Sequence, residues 1–216
     1  MKKLYFTLLT VLACTATISI FQAKADHHKD HDEPKATVGS PAPDFTLYDS
    51  NGDQHSLSDF QGKTVVLEWI NYDCPFVKKH YSEGNMQSLQ KKYTDQDVVW
   101  LSINSSAEGL QGNFSADEIN KRISNTKSMM TAYLVDESGD VGRLYGAKTT
   151  PNMYIITPDG KLAYAGAIDD KPTADASDIQ SSRNYVSENL DLILSGGKCG
   201  VETTKPYGCS VKYASK

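Results

Sequence analysis

The sequence feature that most constrains the fold is an apolar, β-branched run that ends just before a cysteine and a proline. Residues 64–70, TVVLEWI, are interrupted only by Glu68. Runs of this kind form central strands that are buried on both faces of a sheet. Cys74 and Pro75 follow after three further residues, and proline is favoured at the first position of a helix. The sequence therefore predicts a buried strand, then Cys74, then a helix.

Shorter patterns along the chain continue this alternation. Further strands are expected at residues 98–103 and 132–135, and as an antiparallel pair at 152–156 and 161–165. Helices are expected at residues 75–93, with a break at Gly84-Asn85, and at 115–124, 139–145 and 185–194. The pattern predicts an α/β fold: a central mixed β-sheet flanked by helices on both faces, with an irregular, cysteine-containing C-terminal tail.

The composition excludes several classes of protein. The chain has 216 residues, 39% of them hydrophobic, which suits one domain with tails and excludes an intrinsically disordered chain. A mean hydropathy of −0.46 excludes a polytopic membrane protein. The net charge is −5, so the surface has no basic excess with which to displace counterions from phosphates. We therefore expect no nucleic-acid partner.

The first 25 residues have the pattern of a secretory signal peptide. Met1-Lys2-Lys3 is a short positive region, residues 4–21 are mostly apolar, and Ala23-Lys24-Ala25 places small residues where a leader peptidase cuts. We expect a signal peptide at residues 1–25 and a mature protein that begins at Asp26 in a periplasmic or secreted location.

Two other interpretations of this segment stay open. A membrane anchor is one, although Thr and Ser residues interrupt the apolar run and no stop-transfer pattern follows it. A lipoprotein anchored at Cys14 is the minor alternative, because residues 11–14 loosely resemble a lipobox. Cleavage of the leader predicts no stable membrane insertion. It leaves three cysteines in an oxidising compartment: Cys74, Cys199 and Cys209.

The mature chain divides into three predicted parts. Residues 26–37 are polar and rich in histidine, which is typical of a disordered linker. Residues 38–197 carry the strand and helix pattern, and residues 198–216 form the tail. We expect no metal site and no cofactor. Metal binding by His27, His28 and His31 stays open as an alternative, although nothing near these histidines completes a coordination shell.

Cys74 is the candidate reactive group because of its place at the start of a helix. Unpaired backbone N–H groups and the positive end of the helix dipole favour the thiolate there. Pro75 fixes the helix start, and we expect the positive charge of Lys78 to stabilise the thiolate further. His80 lies six residues after Cys74, near the opposite side of the helix, so no Cys–His nucleophile pair is expected. The alternative is a buried, inert cysteine at a strand end.

The segment around Cys74 resembles the strand-to-active-site segment of thioredoxin-fold proteins, and the likeness extends over residues 38–197. The resemblance implies a thioredoxin-like fold. It implies that Cys74 is the nucleophilic first cysteine of a Cys-x-x-Cys motif and that Glu68 is the buried carboxylate beneath it, a proton-transfer partner. Thr150 and Pro151 resemble the segment that carries a cis-proline, which lies against the active cysteine and shapes the substrate groove.

Further motifs resemble the redoxin branch, the alkyl hydroperoxide reductase and thiol-specific antioxidant superfamily. Residues 39–45, GSPAPDF, look like its opening segment, and residues 73–81 together with 205–213 resemble its peroxiredoxin-like subgroup. Two departures bear on function. Val77 occupies the second motif position, so there is no local Cys-x-x-Cys pair. Cys74 itself stands where typical peroxiredoxins carry their peroxide-activating threonine, so the resemblance does not extend to peroxidase chemistry.

The two tail cysteines are the candidates for a second thiol. Fourteen residues separate Ser195 from Cys209, and at about 3.3 Å each they span up to about 45 Å, so Cys209 can reach Cys74 and resolve it. Alternatively, Cys199 and Cys209 form a structural disulfide. We favour this second pairing because it closes a short, local loop, while thiol exchange from either cysteine to Cys74 stays open.

These patterns predict an exported thiol-dependent oxidoreductase with Cys74 as nucleophile. Its expected partners are a protein that carries a thiol or disulfide, or a peroxide, and an electron donor that the sequence does not identify. A thiol peroxidase that reduces peroxides is the nearest alternative and uses the same cysteine. A non-catalytic binding module that kept the thioredoxin fold is the alternative from a different class.

Overall fold

The computed structural model describes residues 35–215. The predicted leader, nearly all of the predicted linker, Cys14 and the three linker histidines lie outside the described residues. Within residues 35–215, no helix combines the length and the apolar character needed to cross a membrane.

A mixed sheet forms the centre of the fold. The strands of the described part are β1 (Thr46–Asp49), β2 (Gln54–Ser56), β3 (Val65–Trp69), β4 (Val99–Asn104), β5 (Ala132–Val135), β6 (Thr149–Thr150), β7 (Asn152–Ile156), β8 (Leu162–Gly166) and β9 (Cys209–Ser210). Seven of them lie in the order β2-β1-β5-β4-β3-β7-β8. β4 is parallel to β3 and β5, whereas β7 is antiparallel to β3 and β8.

Helices cover both faces of this sheet, as predicted. They are α1 (Pro75–Ser82), α2 (Asn85–Thr94), α3 (Ala116–Thr126), α4 (Asp140–Tyr145) and α5 (Tyr185–Leu194), with 3₁₀ turns at Leu57–Phe60 and Ala176–Ser181. Four of them, α1, α2, α3 and α5, contribute to one hydrophobic core, and α4 contributes to the core on the other face. The structure therefore confirms the thioredoxin-like α/β architecture with its central mixed sheet.

The continuous apolar run of β3 is explained by its central place between these two cores. All five of its residues are buried. Val66 faces the core formed with α1, α2, α3 and α5, whereas Val65 and Leu67 face the core that contains α4. Because side chains alternate between the faces of a strand, a strand covered on both faces needs an apolar residue at nearly every position. Glu68 is the exception, because it is an ionisable residue in this buried strand.

The C-terminal tail is largely irregular, as predicted, but it also contributes strand β9. β9 pairs antiparallel with β6, so that Ser210 lies opposite Thr149 and Cys209 lies opposite Thr150. Farther along, Tyr213 donates a hydrogen bond from its hydroxyl to the carbonyl of Ala147 at 2.8 Å. The tail is therefore packed along the segment that precedes β7.

Candidate active site

Cys74 is the N-cap residue of α1, as the sequence predicts, and Pro75 is the first residue of the helix. The backbone N–H of Cys74 donates to the carbonyl of Asn71 at 2.9 Å, which closes a tight turn after β3. The side chain is 0% exposed. Its thiol donates to the backbone carbonyl of Thr150 at 3.1 Å. The sulfur is thus buried, but it is surrounded by polar groups rather than by hydrocarbon alone.

The environment of Cys74 favours its thiolate. Burial raises the pKa of the thiol, but the neighbouring polar groups outweigh it, so the pKa is lowered; these groups are the side chains of Cys209 and Thr150 and the backbone N–H groups of Cys209 and Val77. Donors of this kind stabilise the negative charge of a thiolate. Val77, which occupies the position of the second motif cysteine, therefore contributes a backbone donor instead of a thiol.

The carbonyl of Thr150 accepts from the Cys74 thiol, and the peptide bond between Thr150 and Pro151 is cis. The Thr150 hydroxyl is buried and makes no well-formed hydrogen bond among the described residues. It is nevertheless close enough to the sulfur to lower the pKa of the Cys74 thiol. A buried hydroxyl without a partner is costly, and it gains one when the adjacent sulfur becomes an anion.

Cys209 is the second thiol of the site. All three cysteines of the described part are free, and Cys209 lies opposite Thr150, whose carbonyl oxygen accepts from the Cys74 thiol. Burial, followed by the interaction with Cys74, raises the pKa of Cys209 to about 11. The pKa values of the two thiols are therefore shifted in opposite directions, so that Cys74 ionises more readily and Cys209 keeps its proton.

The Cys199–Cys209 pairing that we favoured from loop closure is not the arrangement in the structure. Cys199 is half-buried beside Glu202, and burial and that charge together raise its pKa to about 11. Cys209 lies instead against Cys74 because β9 pairs with β6. Loop entropy depends only on the length of chain between two cysteines, so it does not include the effect of this strand pairing.

Gly208 explains how the tail comes this close to Cys74. A Cβ atom at this position would fall 2.1 Å from the carbonyl oxygen of Thr150, and the φ angle of Gly208 is +134°. Both observations require glycine. The glycine of the Tyr-Gly-Cys sequence at 207–209 is the sequence signal of this close backbone approach beside the second thiol.

Glu68 is completely buried and lies inside a cage of four donors rather than in contact with Cys74. Oε1 accepts from the Tyr81 hydroxyl at 2.9 Å, and Oε2 accepts from Trp100 Nε1 at 2.8 Å. Oε2 also accepts from Ser102 at 3.0 Å and from Gln90 at 3.2 Å. Burial raises the pKa of Glu68 in spite of these donors. The sequence indicated the buried carboxylate but not its donors.

Two further side chains lie away from the Cys74 sulfur. Lys78 is exposed, and its ammonium group is not among the leading causes of the lowered pKa of Cys74. His80 is fully buried, and its imidazole faces Asn85, Asp169 and Tyr207. No three His, Cys, Asp or Glu side chains within residues 35–215 are grouped as metal ligands.

The fold and the cysteine at the helix N-terminus define a thioredoxin-like protein. Solved structures agree. A hypothetical protein from Sinorhizobium meliloti superposes with a TM-score of 0.70 at 23% identity, covering 84% of this chain and 97% of that one. An uncharacterised conserved protein from Geobacillus kaustophilus superposes with a TM-score of 0.70 at 28% identity, covering 83% and 94%. These likenesses extend well beyond the helix that carries Cys74.

The family pattern of the AhpC/TSA family matches residues 38–165, so the chain belongs to the AhpC/TSA family. Among curated proteins it is similar to the thiol-disulfide oxidoreductase ResA of Bacillus subtilis, with 25% identity over 155 residues, covering 72% of this chain and 78% of that one. It is also similar to ResA of Bacillus thuringiensis, with 26% identity, covering 60% and 69%. The chain is an oxidoreductase of the thioredoxin-like class.

Proposed function

We propose that the protein is a thiol–disulfide oxidoreductase whose redox pair is Cys74 and Cys209. The observation that carries this proposal is the placement of both cysteines at Thr150: its carbonyl oxygen accepts from the Cys74 thiol, and its backbone pairs with Cys209 in the β6–β9 ladder. The pKa of Cys74 is lowered there, whereas burial and the neighbouring Cys74 raise that of Cys209. A Cys-x-x-Cys motif places its second thiol one helical turn after the first. Here the tail supplies the second thiol from strand β9, opposite Thr150.

The first step is attack by the Cys74 thiolate on one sulfur of a partner disulfide. A bond forms between Cys74 Sγ and that sulfur, the partner's S–S bond breaks, and the partner's other sulfur leaves as a thiolate that takes up a proton. Donors that hold the anionic sulfur before the reaction favour the attacking form. They are the Thr150 side chain and the N–H groups of Val77 and Cys209.

The second step resolves this mixed disulfide. The Cys209 thiol gives up its proton and attacks Cys74 Sγ, and the bond between Cys74 and the partner breaks. The partner leaves with two thiols, reduced by two electrons, and the protein holds a Cys74–Cys209 disulfide. An external dithiol reductant returns the pair to its starting state by the same exchange in reverse.

The remaining predicted site residues have supporting roles in this proposal. Thr150 lies beside both cysteines, since its carbonyl accepts from the Cys74 thiol and its backbone pairs with Cys209. The cis bond between Thr150 and Pro151 shapes the substrate groove. Glu68 holds a protonatable carboxyl beneath the site, and its contacts in the described structure are to the four donors of its cage. We keep it as a candidate proton-transfer partner and assign Lys78 no part in the exchange.

The site does not favour the thiol-peroxidase alternative. Cys74 stands where the peroxiredoxin pattern has threonine, and Val77 stands where it has the peroxide-reactive cysteine. The curated relatives with which the chain aligns are named thiol-disulfide oxidoreductases. The position of Cys209 beside Cys74 also suits disulfide exchange, because a second thiol nearby can resolve a mixed disulfide.

Disulfide mapping tests the proposal. Protein oxidised with a small disulfide will contain a Cys74–Cys209 bond with Cys199 free. The variant Cys209→Ala will instead accumulate a mixed disulfide on Cys74, because nothing adjacent resolves it. Mass spectrometry of peptides alkylated without reductant distinguishes these species.

Cys199→Ala is the matched control for this experiment, since it removes the other tail thiol. It will release its partner at the wild-type rate. A Cys199–Cys209 bond in the oxidised wild type, or release from Cys209→Ala as fast as from the wild type, would show that Cys209 is not the resolving cysteine.

We also propose that the protein is exported and works in an oxidising compartment. The support is the leader pattern of residues 1–25, together with the relationship to ResA proteins. The mass of the mature protein decides this point: a chain that begins at Asp26 supports export, and retention of Met1 after expression in the native host contradicts it.

A further inference from the structure

Tyr207 lies two residues before Cys209 and packs on the helix that carries Cys74. Its ring makes an edge contact with Phe76, with 5.9 Å between ring centroids. The Lys79 ammonium lies 5.8 Å from the same ring. Phe76 is the second residue of α1, so this contact ties the tail to the first turn of the helix, directly beside Cys74.

The hydroxyl of Tyr207 enters a buried polar cluster. It donates to Asp169 Oδ1 at 2.5 Å and lies 3.4 Å from His80 Nε2. Asp169 and His80 are 1% and 0% exposed. The other carboxylate oxygen, Asp169 Oδ2, is buried without a hydrogen-bond partner among the described residues and lies 4.0 Å from His80 Nε2. The cluster is thus built around the tail tyrosine.

The orientation of His80 follows from its other neighbour. Asn85 donates from its amide nitrogen to His80 Nδ1 at 2.9 Å, which leaves the ring hydrogen on Nε2, facing Tyr207. Burial lowers the pKa of His80 to about 4, so the ring is neutral at physiological pH. The hydrogen bonds therefore run in one direction, from His80 through the Tyr207 hydroxyl to the carboxylate of Asp169.

Fixing Tyr207 leaves Cys209 little freedom. The residue between them is Gly208, which lies against the Thr150 carbonyl, and the next residue is Cys209, paired with Thr150 in the β6–β9 ladder. A shift of the Tyr207 side chain out of its cluster would move this short segment away from Cys74. The rate of an exchange between two thiols depends steeply on how well they are held together.

We propose that Tyr207 is a positioning residue for the Cys74–Cys209 exchange, and that Asp169 and His80 hold it so that the second thiol stays within reach of the first. This inference rests on the proposed function. It assigns the fully buried His80 and Asp169, together with the half-buried Tyr207, to holding the second thiol in place and thus to setting the redox equilibrium of the pair.

The test compares two variants that each lose one tyrosine hydroxyl bonded to an aspartate. Tyr207→Phe keeps the ring contacts and removes the bond to Asp169. Tyr93→Phe is the matched control, because Tyr93 is also buried and donates to Asp191 at 2.9 Å. For each full-length protein, the fraction of Cys74–Cys209 disulfide is measured in dithiothreitol buffers of graded redox state, alongside the melting temperature.

We expect Tyr207→Phe to weaken the disulfide about tenfold, which corresponds to about 30 mV for a two-electron couple. Tyr93→Phe will leave this equilibrium within about twofold of the wild type, whatever it does to the melting temperature. Asp169→Asn is the second variant, and combined with Tyr207→Phe it will add little, because residues that act through one contact are not additive.

A potential unchanged in Tyr207→Phe, or changed equally in Tyr93→Phe, overturns the inference while leaving the redox pair in place. Failure of the wild type to form the Cys74–Cys209 disulfide in any of the buffers overturns the proposed function, and the positioning role with it. A failure of the inference is therefore seen in Tyr207→Phe and its control, whereas a failure of the proposed function is seen in the wild type.

Discussion

Cys74→Ser will lower the rate of disulfide exchange to background, a loss of about 10³-fold or more, in the range found when an enzyme loses its nucleophile. Serine at this position has no sulfur with which to form the mixed disulfide, and its hydroxyl does not ionise near neutral pH. The measurement is reduction of a small or protein disulfide in the presence of excess dithiothreitol, corrected for the uncatalysed rate.

Cys199→Ser is the control for this experiment, since it changes a half-buried cysteine that lies outside the proposed pair. It will keep the wild-type rate. Substantial exchange by Cys74→Ser, or an equal loss in Cys199→Ser, would contradict the assignment of the nucleophile.

The pH dependence of the wild type provides a second check on the same residue. Alkylation of Cys74 follows the thiolate, so its rate will rise with pH and level off above the pKa. Because the pKa of Cys74 is lowered, the midpoint will lie below that of a free cysteine. Cys209→Ala removes a side chain that lowers the pKa of Cys74 and will move the midpoint upward, whereas Cys199→Ala will leave it in place.

Glu68→Ala will have the largest expected effect on stability, a loss of about 3 kcal/mol or more, because each buried donor left without a partner costs about 1–3 kcal/mol. Four donors lose their acceptor at once: Tyr81, Gln90, Trp100 and Ser102. Chemical denaturation of reduced protein measures the difference. The fold is expected to persist, since both cores are otherwise intact.

The control for Glu68→Ala is Tyr81→Phe, which removes one donor from the cage and keeps the carboxyl; its cost will be closer to that of one hydrogen bond, about 1 kcal/mol. The pH dependence has a definite sign. Burial raises the pKa of Glu68 above its ordinary value of 4.5, so its contribution is full below that value and falls as the pH rises through the folded pKa. The penalty for Glu68→Ala will therefore be larger near pH 5 than near pH 8. An equal penalty at both would contradict the raised pKa.

The fold was largely predictable because its core strand is distinctive. The apolar run of β3 and the Cys74-Pro75 junction after it occur in the structure as expected, and the break between α1 and α2 falls at Gly84, whose φ is +70°. Strand and helix periods report local burial, and this sheet is buried on both faces. The mixed sheet followed from the succession of strand, helix, strand and hairpin along the chain.

Only part of the site could be predicted from the sequence, because its two cysteines are far apart in the chain. Cys74 carries local signals, namely the strand before it and the proline after it. Cys209 lies 135 residues farther along the chain, and its contact with Cys74 depends on the β6–β9 pair, two residues long on each strand. Pairing of such short strands leaves no periodic pattern. The cage of Glu68 is similar, since its four donors come from three separate elements, α1, α2 and β4.

Gly142 shows what the tail demands of the domain beneath it. This glycine lies inside α4, where glycine disfavours the helix, but a Cβ there would fall 2.4 Å from the hydroxyl oxygen of Tyr213. Glycine at this position of α4 therefore makes room for Tyr213 of the C-terminal tail. A variant that ends before Tyr213 would retain every residue of the central sheet, but it would have an unfilled groove on the surface of α4.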